Sequence, residues 1–143
     1  MSIVHRFTDA FNKNDVKGLV NLFTEDGTYD DIFFGPHKGR EALREMFERM
    51  FREGRGYEWR FDTVVEDGRR AAGEWRFRYT VSDAIPRSAG RPVSFKGMSV
   101  FDLEGGKISA YREYADVGVA LLQIGFKPEA LASVLAKRVP KGD

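Results

Sequence analysis

Glu74-Trp75-Arg76-Phe77-Arg78-Tyr79-Thr80-Val81 alternates charged or polar residues with aromatic and aliphatic ones without a break. Successive side chains of a strand point to opposite faces, so Trp75, Phe77, Tyr79 and Val81 share one side and Glu74, Arg76, Arg78 and Thr80 the other. Such a strand belongs to a sheet with one face packed and one face wet, which is the pattern of an antiparallel sheet covered on one side. The alternation predicts a strand over Arg70–Ser82, and three more strand-like segments flank it: Tyr57–Glu66, Arg91–Leu103 and Lys107–Ala115. Asp67-Gly68, the loop Ile85-Pro86-Arg87-Ser88-Ala89-Gly90 and Glu104-Gly105-Gly106 separate them, and short turns between long strands predict an antiparallel meander.

Upstream the period changes. Ile3, Val4, Phe7, Ala10 and Phe11, then Val16, Leu19, Val20, Leu22 and Phe23 around an Asn14-Asp15 break, predict a helical hairpin of about 22 residues. Glu25-Asp26-Gly27 turns into a short strand, Thr28–Ile32, and Gly35-Pro36-His37-Lys38-Gly39 interrupts the chain before an amphipathic helix over Arg40–Arg52 with Leu43, Met46, Phe47 and Met50 on one side. Downstream, Val117 to Ile124 predicts a helix stopped by Gly125, and Pro128 opens a last helix to about Arg138.

Tyr111-Arg112-Glu113-Tyr114-Ala115-Asp116 ends the last strand. Unbroken period two would put Ile108, Ala110, Arg112, Tyr114 and Asp116 on one face and Tyr111, Glu113 and Ala115 on the other. A cation, a phenol and an acid on one face suggest a partly wet pocket, or else an ion pair at a sheet edge.

Composition bounds the possibilities. The 143 residues suit one domain with a continuous core, and 23 basic against 22 acidic residues leave a net charge of +1, with no electrostatic case for nucleic acid or an anionic membrane. There is no cysteine, hence no disulfide or thiolate chemistry. Two histidines, His5 and His37, with dispersed acids show no metal-ligand spacing, and no glycine-rich phosphate motif is present, so neither a metal nor an organic cofactor is expected. Without a secretory pattern or an apolar run of membrane-spanning length, a cytoplasmic protein is expected.

The order of these elements resembles the α+β cone of the nuclear transport factor 2-like superfamily, and in particular its SnoaL-like members. The likeness runs through Phe23-Thr24-Glu25-Asp26-Gly27-Thr28-Tyr29, Gly39-Arg40-Glu41-Ala42-Leu43, and Ser99 to Ile108 followed by Tyr114-Ala115-Asp116. It implies one domain over residues 1–143, with a curved antiparallel sheet wrapped around the N-terminal helices to form a cone with an internal pocket. It also implies pairing into a homodimer through the outer sheet face, where Met98 and Val100 interleave with Lys96 and Asp102 and where Glu74, Arg76 and Arg78 would find partners across a two-fold axis.

For chemistry, the resemblance points two ways. The ketosteroid isomerase pattern places its general base at the second acid of Asp30-Asp31, but its two assisting donors fall at Phe7 and near Ser99, which disfavours steroid-type isomerisation. The limonene-type epoxide hydrolase pattern matches Tyr111 to Asp116, placing the water-activating base at Asp116 and its helpers at Tyr29 and Asp31. The acid that protonates the epoxide falls at Trp75 and Phe77, leaving half of a push-pull site. Asp116 and Asp31 are therefore the expected catalytic residues, opening onto one cavity and sharing a proton; a helix cap for Asp116 and a turn for Asp31 are the alternatives. Tyr29, Trp75, Phe77, Trp59, Arg112, Tyr114 and His37 are the expected substrate-binding residues, though aromatic strand residues also serve as core and His37 also fits an exposed loop. Three functions stay open: a cofactor-free acid/base enzyme (isomerase, lyase, cyclase or hydrolase) acting on a small apolar oxygen-bearing molecule, a non-catalytic module binding a small hydrophobic molecule, and a dimeric structural domain.

Overall fold

A computed structural model describes residues 2–142. Helix α1 (Ile3–Asn12) starts at Ser2, whose side chain accepts from the His5 amide, and it buries Ile3, Val4, Phe7, Ala10 and Phe11. Asn14 takes a left-handed backbone (φ 56°), which asparagine tolerates, and turns the chain into α2 (Val16–Asn21), capped by Asp15 onto the Gly18 amide. Strands β1 (Phe23–Asp31) and β2 (Gly35–Lys38) form a hairpin that leads into α3 (Arg40–Glu53), and the meander follows as β3 (Gly54–Glu66), β4 (Arg70–Val81), β5 (Pro92–Glu104) and β6 (Lys107–Ala115). Two helices, α4 (Val117–Ile124) and α5 (Pro128–Ala136), end the chain. No helix among the described residues is long and apolar enough to cross a membrane.

The six strands form one sheet in the order β2-β1-β6-β5-β4-β3. The meander β3 to β6 is antiparallel throughout, with tight turns at β3–β4 and β5–β6 and a longer loop between β4 and β5. β1 joins β6 in parallel, a pairing that local periodicity does not encode, with Tyr29 opposite Tyr111 and Asp30 opposite Arg112. β1 is also longer than the expected Thr28–Ile32, because the polar Thr24–Asp26 stretch continues the strand through an irregular register.

The inner face of the sheet carries Trp75, Phe95, Phe101 and Tyr111, packed on Phe7 and Phe11 of α1 and on Phe47 of α3, all essentially inaccessible to solvent. The Glu74–Val81 alternation thus packs as read. Gly97 is required at its place opposite Trp75, because a Cβ there would come within 2.6 Å of the indole ring. At the open edge of the sheet, the Asn12 side chain donates to the Trp59 carbonyl (3.0 Å) and accepts from the Trp59 amide (2.8 Å), so α1 covers backbone groups that would otherwise invite another strand.

The outer face carries paired charges. Arg76 binds Asp62 and Arg78 binds Glu58, each through two hydrogen bonds of 2.8–3.0 Å, and Glu74 accepts from Thr63. The expectation that these three would wait for partners across a two-fold axis is corrected, since neighbouring β3 supplies them within the chain. Being exposed, these pairs add little stability.

Candidate active site

Strand β6 is bulged. Asp102 of β5 faces Ala110 and Leu103 faces Ile108, so β6 has one residue more than its partner at Ser109. The extra residue reverses the parity of everything after it. Ile108 and Tyr111 are both buried despite their odd separation, and Glu113 follows Tyr111 inward. Three expectations from unbroken period two are therefore corrected. Arg112 lies on the outer side and pairs with Asp102 (2.8 Å). Tyr114 is 66% exposed on the same side. Asp116 sits one residue before α4, accepts from the Val119 amide (3.2 Å) as its N-cap, and borders a shallow outer groove with Lys96, Met98 and Tyr114. Asp31 and Asp116 do not share the inner cavity; the acid that meets Asp31 is Glu113.

That cavity, about 250 Å³, lies between the inner sheet face, α1, α3 and the end of α4. Tyr29, Trp59, Trp75 and Phe77 line it, together with Phe11, Tyr57, Tyr79 and Phe95, and Phe33, Phe34, Ile85 and Phe126 add to its wall from loops. His37 does not line it. Instead its Nδ1 donates to the Gly35 carbonyl (3.0 Å) in the β2 strand, close enough for its charge to act on Asp31.

Asp31 and Glu113 meet on the polar part of this wall. Asp31 Oδ2 accepts from the Phe33 and Phe34 amides (2.8 and 2.9 Å), the local bonding that makes aspartate a turn former. The Ile32 amide donates to Glu113 Oε2 (3.0 Å). Three successive amides of one turn therefore serve two carboxyls on adjacent strands, and Tyr111 completes the set by donating to Glu113 Oε1 (2.5 Å).

The two acids do not ionise together. Burial pushes the Glu113 carboxyl well above the ordinary carboxylate range, and the negative charge of Asp31 pushes it further. Burial also raises Asp31, against the pull of the Phe34 and Phe33 amides. With two amide donors on one oxygen, Asp31 keeps the charge and Glu113 keeps the proton. Burial, and then the Glu113 charge, hold the Tyr29 and Tyr111 hydroxyls well above the usual phenol range, so both remain donors. Among the described residues, no lysine, arginine or histidine lines the cavity.

Glu113 was missed because the bulge is invisible to strict alternation. The available signal was the three-residue spacing of Ile108 and Tyr111, two apolar residues that unbroken period two would put on opposite faces.

The structural role of Asp116 gives a direct expectation. Replacing Asp116 by Ala should lower stability by about 1 kcal/mol, the usual worth of an N-cap, and leave ligand binding and turnover unchanged. Urea unfolding together with a binding titration checks both halves.

The comparisons agree with this architecture. Residues 4–111 match the SnoaL-like domain family. The chain belongs to that family. Among solved structures it is similar to a protein of ketosteroid isomerase-like fold from Catenulispora acidiphila, crystallised in complex with trimethylamine (TM-score 0.77, 20% identity, covering 89% of this chain and 95% of that one). It is also similar to an LEH-like epoxide hydrolase of M. tuberculosis (TM-score 0.70, 19% identity, 94% and 93% covered). A third similar structure is a proposed polyketide cyclase from Pseudomonas putida (TM-score 0.71, 23% identity, 86% and 98% covered). At these identities the likeness is one of fold.

Proposed function

We propose that this protein is a cofactor-free acid/base enzyme that moves a proton on a small apolar oxygen-bearing molecule held in the cone. Asp31 is the base and Glu113 the acid: the ionised Asp31 takes a proton from carbon or from water while Glu113 delivers one to the substrate oxygen, as isomerase, lyase, cyclase or hydrolase steps require. One observation carries this reading, namely two carboxyls, ordered by three successive amides, on the wall of an aromatic cavity. Bringing Asp31 together with Tyr29, Trp59, Trp75 and Phe77 supports the reading further.

Size and charge narrow the substrate. A cavity of about 150 Å³ suffices for benzene. The volume here therefore suits one or two rings and is small for a tetracycle. With acids and no cation on its wall, the site favours neutral or cationic ligands over anions. The trimethylamine held by the Catenulispora protein is compatible with that preference. The outer sheet face with Met98 and Val100, interleaved with Lys96 and Asp102, remains the surface proposed for a second copy of the chain.

Three matched two-ring probes test the reading: 2-indanone, 2-aminoindane and indane-2-carboxylate. The ketone and the ammonium should bind at least about tenfold more tightly than the carboxylate, by calorimetry. The protein should also accelerate deuterium exchange at the α-carbons of 2-indanone, followed by proton NMR. Tight binding of the carboxylate would contradict the charge argument. Binding of the ketone without faster exchange would favour the non-catalytic binding module.

A further inference from the structure

Behind the cavity wall lies a buried serine that the proton transfer itself does not use. Ser99 on β5 is fully inaccessible and stands opposite Gly73 on one side and Glu113 on the other. Its hydroxyl touches two side chains: Trp75 Nε1 donates to Ser99 Oγ (2.8 Å), and Ser99 Oγ lies 2.7 Å from the Tyr111 hydroxyl. Tyr111 in turn lies 2.5 Å from Glu113 Oε1.

The donor inventory orients this chain. An indole N–H can only donate, so Ser99 Oγ accepts from Trp75 and has one proton of its own to place. Its remaining side-chain partner is Tyr111, which must accept it. Tyr111 then has its own single proton left, and that proton goes to Glu113 Oε1. Meanwhile Oε2 of Glu113 accepts the Ile32 amide. Both oxygens are thus approached by fixed donors, and the acid proton of Glu113 is left to the side shared with Asp31 and the cavity.

We propose that Ser99 is a positioning residue for Glu113: through Tyr111 it fixes the direction of the hydrogen-bond chain, so that Glu113 presents its proton to Asp31 and the ligand rather than to the protein behind it. This rests on the reading of Glu113 as the acid. Without Ser99, Tyr111 has no obligatory donor, and Glu113 can turn its proton back onto the Tyr111 oxygen and lock there. The Trp75–Ser99–Tyr111–Glu113 chain thereby sets both the direction and the strength of the acid.

The titratable groups facing Glu113 are Asp31 and Tyr29 from β1 and Tyr111 on its own strand. Glu53 of α3, Tyr57 of β3 and Tyr79 of β4 line the same cavity, and the charge of His37 on β2 acts on Asp31. Of these only Tyr111 touches Ser99, so a shift in the Glu113 titration on changing Ser99 reports the chain through Tyr111.

The test uses the ligand-free full chain labelled with carbon-13 at glutamate carboxyls, with the Glu113 resonance assigned by its loss in Glu113→Gln. Ser99→Ala should raise the Glu113 midpoint by about 0.5 pH unit or more, the loss expected when a hydrogen bond to the ionised form weakens. The Trp75 indole proton should move upfield and exchange faster, and Ser99→Thr, which keeps the hydroxyl, should restore both signals. Tyr111→Phe should raise the midpoint at least as far, and it stands in if Ser99→Ala does not fold. An unmoved Glu113 midpoint in a folded variant overturns the proposal, even if the indole signal changes. Because the readout needs no turnover, failure of the exchange assay would sink the enzyme reading and leave this inference standing or falling on its own.

Discussion

Glu113→Gln is expected to lower the 2-indanone exchange rate by about 10²–10⁴-fold while the fold survives, the range that loss of a general acid or base produces. The amide matches the carboxyl in shape but cannot release a proton. It can still accept from one fixed donor and give its N–H to Asp31 or, with the hydroxyls reversed, to Tyr111. Asp31→Asn should cost a similar factor, because Asp31 carries the charge that accepts the proton. The double variant should cost little more than either single change, since the pair acts as a unit and the effects of coupled groups do not add. The ketone should bind both variants about as well as it binds the native protein, which assigns the loss to chemistry. Exchange rates measured at saturating ketone separate the two; a native rate in the double variant would remove both acids from the mechanism.

The largest stability effect is expected at Phe7, where Phe7→Ala should cost about 3–5 kcal/mol. The ring is wholly inaccessible and meets those of Phe11, Phe23, Tyr29, Trp59, Phe101 and Tyr111 at centroid distances of 5.1–6.5 Å. No neighbour can collapse into the void without losing its own contacts, since the partners are held by α1, β1, β3, β5 and β6 at once. Stabilities of natural domains are about 5–15 kcal/mol, so the variant should be close to the edge of folding. Guanidinium unfolding measures the cost, and a loss below about 1.5 kcal/mol would show that the site repacks. Phe7 also stacks on Tyr111 (5.5 Å, 22°), so its removal should loosen the hydroxyl that orients Glu113.

The legibility of this protein in its sequence divides along a physical line. Trp75, Phe77, Tyr79 and Val81 could be placed on the inner face because strand parity is local and their strand is regular across that stretch. The amphipathic run of α3 and the Asp116–Gly125 bounds of α4 were legible for the same reason: caps and faces are short-range signals. The β1–β6 pairing was not, because a parallel contact between residues some eighty positions apart leaves no mark on either segment. Tyr29, Trp59, Trp75, Phe77 and Asp31 line the cavity, whereas Asp116, Arg112 and Tyr114 are turned away from it by a single inserted residue at Ser109. A bulge changes which acid faces the cavity without changing the composition of the strand. The family likeness to Tyr111–Asp116 points to β6, and only the backbone shows which acid of that strand faces the cavity.

The shared proton of Asp31 and Glu113 is the claim on which the function rests, and stability as a function of pH tests it. The folded carboxyl of Glu113 is held above its unfolded range by burial and by Asp31, and that of Asp31 is held above its own by burial. A group raised in this way binds more protons folded than unfolded. Its stabilisation is complete below the unfolded value, about 4.3 for glutamate, and is lost as pH rises through the folded midpoint. The slope reaches about 1.4 kcal/mol per pH unit for one proton. Urea midpoints of the native chain and of Glu113→Gln, collected from pH 5 to 9, give the answer. Native stability should fall with rising pH, and its difference from the variant should move steadily in the variant's favour; curves that stay parallel across the whole range would rule out the shared proton.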